Sequence, residues 1–197
     1  MSPASARPTL FLIAGPNGAG KTTFYETALR PRIAAPFINA DEIQREELKD
    51  PSVEAAYRAA AIAAERREKL LAAGESFVTE TVFSHPSKLE LLKAARGAGF
   101  RLIVFHLHVA SADLAVARVL ERIEEGGHPV PEDKVRERHA RNQELIRAAV
   151  RFADHGAVYD SSALNAPPRL LLRTRQGAAE FVAEDPPDWF SALYGPP

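Results

Sequence analysis

Apolar residues fall along the chain in two alternating patterns. Short unbroken apolar runs, bounded by glycine, proline or small polar residues, read as strands buried on both faces, and longer stretches between them carry helical spacing. The clearest runs are Thr9–Ala14 (TLFLIA) and Arg101–Val109, with shorter ones at Phe37–Asn39, Phe77–Glu80, Val158–Tyr159 and Leu170–Arg173. A helix is predicted from about Lys21 to Leu29, ending before Pro31, and another opens at Asp41. A longer helix follows Pro51, with Val53, Ala56, Tyr57, Ala60, Ala63, Ala64, Leu70 and Leu71 on one stripe and Gly74 as its left-handed cap. Pro86 opens the next helix and Gly97 and Gly99 close it; Ser111 caps one reaching about Glu124. Gly126 and Gly127 break the chain, and Pro131 with Glu132 and Asp133 starts another long helix in the sense the helix dipole favours.

Strand–helix alternation of this kind implies an α/β fold in three layers, a parallel sheet with helices on both faces. The expected organisation is one domain over residues 1–197: a short flexible lead, a core at about 9–175, a helical arginine lid at about 115–140, and a tail at 176–197. In that tail four prolines surround Trp189 and Phe190, which with Tyr194 read as packing anchors of a short helix or a partner contact.

Charge narrows the partners. The 25 basic and 26 acidic side chains nearly cancel, so neither nucleic acid nor an acidic membrane surface is expected as a partner, and anion binding must come from a local arrangement. The chain has no cysteine, which excludes disulfides, zinc–thiolate sites and cysteine nucleophiles. Leu10–Ala14 is too short to span a membrane and runs into a glycine-rich loop rather than a cleavage site, so a cytoplasmic protein is expected.

That loop carries the most specific signal. Gly15, Pro16, Asn17, Gly18, Ala19, Gly20, Lys21 and Thr22 match G-x-x-x-x-G-K-[ST], followed by Thr23, between a buried strand and a helix. Its glycines let backbone N–H groups wrap phosphate oxygens, Lys21 supplies a point charge for the β- and γ-phosphates, and the Thr22 hydroxyl is a Mg²⁺ ligand. ATP and Mg²⁺ are therefore the expected cofactors. Neither a Leu-Ser-Gly-Gly-Gln signature nor an Asn-Lys-x-Asp guanine motif is present, which points away from transporter ATPases and GTPases and towards a small kinase.

A small kinase also needs an acceptor-side carboxylate and a mobile arginine lid. Asp41, twenty residues after Lys21 at the end of the second strand, is placed to accept the proton of an attacking hydroxyl, or else forms a capping box with Gln44. Glu80 and Thr81 end a strand predicted beside the first; Glu80 reaches Mg²⁺ through water or holds the acceptor, or is a solvated strand end. Arg118 and Arg122 share a helix face, and Arg136, Arg138 and Arg141 follow across the two glycines. Closure of that pair of helices would bring guanidinium groups onto the transferring phosphoryl group, with Arg122 and Arg138 as the catalytic candidates and Arg118 as a nucleotide contact. His106 and His108 alternate on a strand and share a face, a pairing read as cleft lining or core hydrogen bonding rather than metal ligation.

These parts together resemble the zeta-toxin, or UDP-N-acetylglucosamine kinase-like, family of small P-loop kinases over about residues 9–162. The resemblance rests on the Gly15–Thr23 loop, the Asn39–Ile43 segment, Glu80 with Thr81, and the Gly126–Pro131 segment before an arginine-rich helix. It implies a five-stranded parallel kinase core and phosphoryl transfer from ATP to a sugar hydroxyl of UDP-N-acetylglucosamine. It places Asp41 as base, Lys21 and Thr22 at ATP–Mg²⁺, and Arg118, Arg122 and Arg138 as lid candidates, and it implies a small antitoxin protein as partner. The chain departs from short relatives at Glu137–His139 and at Asp160–Ser162, segments that bear on base and acceptor recognition. Other hydroxyl acceptors (an antibiotic, a nucleoside, a nucleic-acid end) and a non-catalytic ATP-dependent regulatory module remain as alternative readings.

Overall fold

The computed structural model describes residues 7–124 and 130–195. Seven strands form one sheet in the order β2-β3-β1-β4-β5-β6-β7. They are β1 (Thr9–Ala14), β2 (Phe37–Ile38), β3 (Phe77–Thr81), β4 (Arg101–His108), β5 (His155–Asp160), β6 (Arg169–Arg175) and β7 (Ala178–Val182). The first five in that spatial order run parallel, and β6 and β7 add an antiparallel edge. The pairing puts Ala14 level with Thr81 on one side and with His106 on the other, so the carboxyl ends of three strands meet around the first loop.

The helices are α1 (Lys21–Phe24, continued as a π-helical stretch Tyr25–Leu29), α2 (Ala40–Glu42, continued likewise over Ile43–Leu48) and α3 (Val53–Ala73). They are followed by α4 (Ser87–Gly97), α5 (Ala112–Glu124), α6 (Glu132–Arg141), α7 (Gln143–Phe152) and α8 (Asp188–Tyr194). Alternation along each strand builds two cores. Leu10, Leu12, Leu102 and Val104 pack with the helices α3, α4, α7 and α8, while Ile13 and Leu107 pack with α1, α5 and Val135 of α6. This is the three-layer α/β arrangement that the periodicity implies. Among the described residues no helix is long and apolar enough to cross a membrane.

Two expectations are corrected and one strand is added. The buried stripe of α3 is Ala55, Ala59 and Ala63, whereas Val53 is 64% and Tyr57 75% exposed. Small alanines let the helix lie close to the sheet; of the predicted stripe Ala63 is buried and Leu70 and Leu71 pack against the core, while Val53 and Tyr57 turn the other way. The single long helix after Pro131 is two, α6 and α7, broken at Asn142, whose buried side chain donates to the carbonyl of Val82 at 2.7 Å. Strand β7 is an addition: its residues are all exposed, so no apolar run marks it. Its signal is the two-residue turn Gln176-Gly177, both at positive φ, which suits a tight hairpin. The chain break expected at Gly126 and Gly127 lies outside the described residues.

Candidate active site

The loop between β1 and α1 is built so that side chains would obstruct it. A Cβ at Gly15 would meet the carbonyl oxygen of Leu107 at 2.1 Å, and one at Gly18 (φ +74°) the carbonyl oxygen of Ala115 at 2.6 Å. The loop thus lies tightly against β4 and α5, with its backbone free to face outwards. Gly20 at the α1 N-cap supplies no side-chain cap, so the first N–H groups of α1 are left for an anion.

Glu80, at the end of β3, gathers the polar residues around this loop. Its carboxylate accepts from the Thr22 hydroxyl at 2.9 Å and from the Asn39 amide at 3.1 Å, and it lies 3.6 Å from the Lys21 ammonium. Lys21 and Glu80 are 7% and 9% exposed, and Lys21 also donates to the carbonyl of Pro16 at 3.0 Å. Thr81 has a positioning part: its hydroxyl accepts from the N–H of Phe83, which sits buried at φ +57° in the turn after β3.

Asn39, named from the sequence only as part of the Asn39–Ile43 segment, takes the cap that one of the two readings gave to Asp41. The Asn39 side chain accepts from the Asp41 N–H at 2.8 Å and is the N-cap of α2, while Gln44 donates to the carbonyls of Asp50 and Ser52. The capping box of Asp41 and Gln44 is therefore absent. Asp41 is exposed in the first turn of α2 and lines the same cleft as Lys21, Thr22 and Glu80.

That cleft encloses about 1750 Å³ at the carboxyl ends of the parallel strands, where open α/β sheets bind ligands. Eight cationic side chains and three carboxylates line it, in a chain whose formal net charge is −1. The positive field is thus local, as a nucleotide site requires. Of the five arginines singled out, Arg118, Arg122 and Arg138 line the cleft. Arg136 is tied to Asp113 and Glu132, and Arg141 to Glu137, in exposed ion pairs.

Arg118 and Arg138 bear directly on the loop. Arg118 donates to the carbonyls of Gly18 (3.4 Å), Ser161 (2.6 Å), Ser162 (3.2 Å) and Ala163 (3.2 Å), clamping the segment after β5 to the phosphate loop. Arg138 reaches the Asn17 side chain at 3.5 Å, and Arg122 is exposed. Asp160 accepts from the N–H and hydroxyl of Ser162, and that hydroxyl accepts from the Ala110 N–H, so Asp160 and Ser162 shape this segment.

His106 and His108 do not line the cleft. Both are fully buried against α8, where His106 Nδ1 and the Tyr194 hydroxyl lie 2.8 Å apart and the His108 ring lies 4.3 Å from Trp189. Burial drives His106 down to about 3 and His108 to about 2, the latter helped by His106 and His139, so both are neutral at physiological pH. His139 donates from Nε2 to the Val109 carbonyl at 2.9 Å, anchoring α6 beneath β4.

Comparison with solved structures places this architecture among P-loop kinase-like folds. A candidate kinase from Chloroflexus aurantiacus is 23% identical with a TM-score of 0.55, over 68% of this chain and 80% of that one. The AvrRxo1-ORF1:AvrRxo1-ORF2 complex is 14% identical with a TM-score of 0.73, over 96% of this chain and 64% of that one. The PezAT chromosomal toxin–antitoxin system of Streptococcus pneumoniae is 17% identical with a TM-score of 0.60, over 98% and 80%. These likenesses speak to the fold, and no curated protein matches the chain. The sequence of residues 10–145 matches the AAA_33 family, an AAA domain, and with well over half its length covered the chain belongs to that family.

Proposed function

We propose that the protein is an ATP-dependent kinase that transfers the γ-phosphoryl group to a hydroxyl of a small acceptor. The observation that carries this reading is that one cleft unites a complete phosphate loop motif, the Lys21–Glu80–Thr22 cluster and an exposed Asp41 that is not the helix cap. A non-catalytic nucleotide switch gives no use for that last carboxylate.

The residues present suit a Mg²⁺–nucleotide. Thr22 and Glu80 offer hard oxygen donors 2.9 Å apart, and the loop leaves its backbone clear of Cβ atoms. Mg²⁺, when bound, would neutralise charge on the phosphates. Lys21 would hold the β- and γ-phosphates, with Glu80 fixing its ammonium and the Thr22 hydroxyl. Asp41 would orient the acceptor hydroxyl and take its proton. The acceptor oxygen forms a bond to the γ-phosphorus as the bond from that phosphorus to the β–γ bridging oxygen breaks, and ADP leaves with the electron pair. Arg122 and Arg138 would offset charge on the transferring group, while Arg118 would secure the wall beside it.

UDP-N-acetylglucosamine is the acceptor we favour, with its sugar hydroxyl at Asp41; support comes from the zeta-toxin resemblance of the Asn39–Ile43, Glu80 and Thr81 segments. The PezAT likeness lends support to a small antitoxin protein as partner. The test is a product assay with ATP, Mg²⁺ and a panel of alcohols including UDP-N-acetylglucosamine, read by mass spectrometry with Asp41→Asn alongside. A phosphorylated nucleotide sugar that vanishes in the variant is the expected result. ATP binding with no phosphorylated alcohol in the panel would refute the acceptor, and unchanged product in the variant would refute the base.

A further inference from the structure

Among the described residues, two half-buried cations in the cleft are left without partners. Arg67 on α3 and Lys88 in the first turn of α4 both line the cleft and are half-buried. Neither forms an ion pair or side-chain hydrogen bond among the described residues. Their neighbours behave otherwise: Arg66 pairs with Glu47 at 2.5 Å, Lys69 with Glu65 at 2.6 Å, and Lys93 with Glu90 at 2.9 Å. On the same two helices, then, three exposed or partly exposed cations are neutralised by carboxylates while the half-buried pair at the cleft is not.

We propose, on the basis of the kinase reading above, that Arg67 and Lys88 form an anion subsite for the acceptor, so that the alcohol phosphorylated here carries a phosphate or similar compact oxyanion remote from its reacting hydroxyl.

The electrostatics favour an absent anion. Burial lowers the proton affinity of Arg67 and of Lys88, and the positive charge of Arg67 lowers that of Lys88 further. Lys88 also stands at the N-terminal end of α4, where the helix dipole disfavours a cation. Desolvation, like-charge repulsion and an adverse dipole thus fall on one spot, and a bound oxyanion relieves all three. A planar guanidinium beside a compact ammonium also suits phosphate oxygens.

Position supports the same assignment. Val53, Ala56, Tyr57 and Ala60 share the stripe of α3 that leads to Arg67, and every one of them lines the cleft. The exposed side chains of Val53 and Tyr57, which the core does not use, present an apolar wall between α2, where Asp41 lies, and the cation pair. An acceptor with its hydroxyl at Asp41 would lay its body along that wall and reach the two cations with its charged end.

The experiment separates this subsite from the phosphate loop. Protein saturated with a non-hydrolysable ATP analogue and Mg²⁺ is titrated with inorganic phosphate, for wild type, Arg67→Gln and Lys88→Gln. Wild type should bind phosphate with the loop already filled, and each variant should bind it at least about tenfold more weakly, the loss of one charge-assisted hydrogen bond. No phosphate binding to the filled wild type, or equal binding in both variants, overturns the subsite whether or not turnover is seen. Equal turnover of neutral alcohols and their phosphorylated counterparts would also overturn it while leaving the kinase reading standing. Loss of all transfer would instead strike the kinase reading alone.

Discussion

The Thr22 hydroxyl donates to the Glu80 carboxylate at 2.9 Å, which couples the first turn of α1 to the end of β3. The same carboxylate lies 3.6 Å from the Lys21 ammonium, so one side chain orients both phosphate-loop side chains. Glu80→Gln keeps the shape but removes the charge that holds Lys21. Turnover is expected to fall about 10–100-fold, the usual cost of losing an outer orienting partner, with more Mg²⁺ needed for half-maximal rate. Initial rates across a Mg²⁺ series check this, and a rate within twofold of wild type would make Glu80 a bystander.

Asp41 and Asn39 separate cleanly because the cap of α2 belongs to Asn39. Asp41→Asn should leave thermal stability and ATP affinity near wild type while turnover falls about 10²–10⁴-fold, the range a positioned general base supplies. Asn39→Ala should behave in the opposite sense, costing about 1 kcal/mol of stability as a lost N-cap and loosening Glu80. Thermal melts and single-turnover rates on the two variants give the contrast; a large stability loss in Asp41→Asn would contradict the assignment of the cap.

The arginines divide by what holds them. Arg138 lines the cleft beside Asn17, whereas Arg136 and Arg141 are fixed in exposed ion pairs that contribute little. Arg138→Ala should lower kcat about 10²-fold, comparable to removing one donor from a charge-stabilising site. Arg136→Ala and Arg141→Ala should stay within about twofold of wild type, as exposed pairs do. Steady-state kinetics on the three variants decides this. A larger loss at Arg136 than at Arg138 would mean that α6 acts through a different face.

Much of this arrangement could be read from residue order. The phosphate loop was plain because its glycines, lysine and threonine are adjacent in the chain, and β1 and β4 because burial on both faces leaves unbroken apolar runs. Asp41, Glu80 and the arginines could be named but not joined, since the sheet order that brings β1 beside both β3 and β4 is a long-range property. The role of Asn39 escaped because its side chain also donates to Glu80, forty-one residues away. The α3 stripe misled for a simpler reason: apolar spacing does not say whether a face meets a core or a ligand cleft. Arg67 and Lys88 gave no signal, because a cation without a partner looks like any surface cation until its neighbours are known.

The buried histidines make acid a specific stress on this fold. His106 is held at about 3 and His108 at about 2 by burial, far below the ordinary histidine value of 6.5. Above that ordinary value neither the folded nor the unfolded chain protonates them, so they impose no pH slope. Below it the unfolded chain takes up protons that the folded chain refuses, which favours unfolding by up to ~1.4 kcal/mol per pH unit for each histidine. Stability should therefore drop as pH falls from 6.5 towards about 3, beyond what carboxylate titration contributes. His108 is the better probe, because neither of its ring nitrogens has a partner among the described residues. His108→Phe keeps an aromatic ring against Trp189 and abolishes one titration, so the slope of melting temperature against pH between 6.5 and 4 should become shallower. Trp189 offers a second readout, since its ring lies 4.3 Å from that of His108 and a protonated imidazole there would quench it. Native fluorescence should show no transition near pH 6.5 and should change only with unfolding. A titration of native Trp189 emission near 6.5, or an unaltered slope in His108→Phe, would mean that water reaches the histidines and that α8 does not seal them.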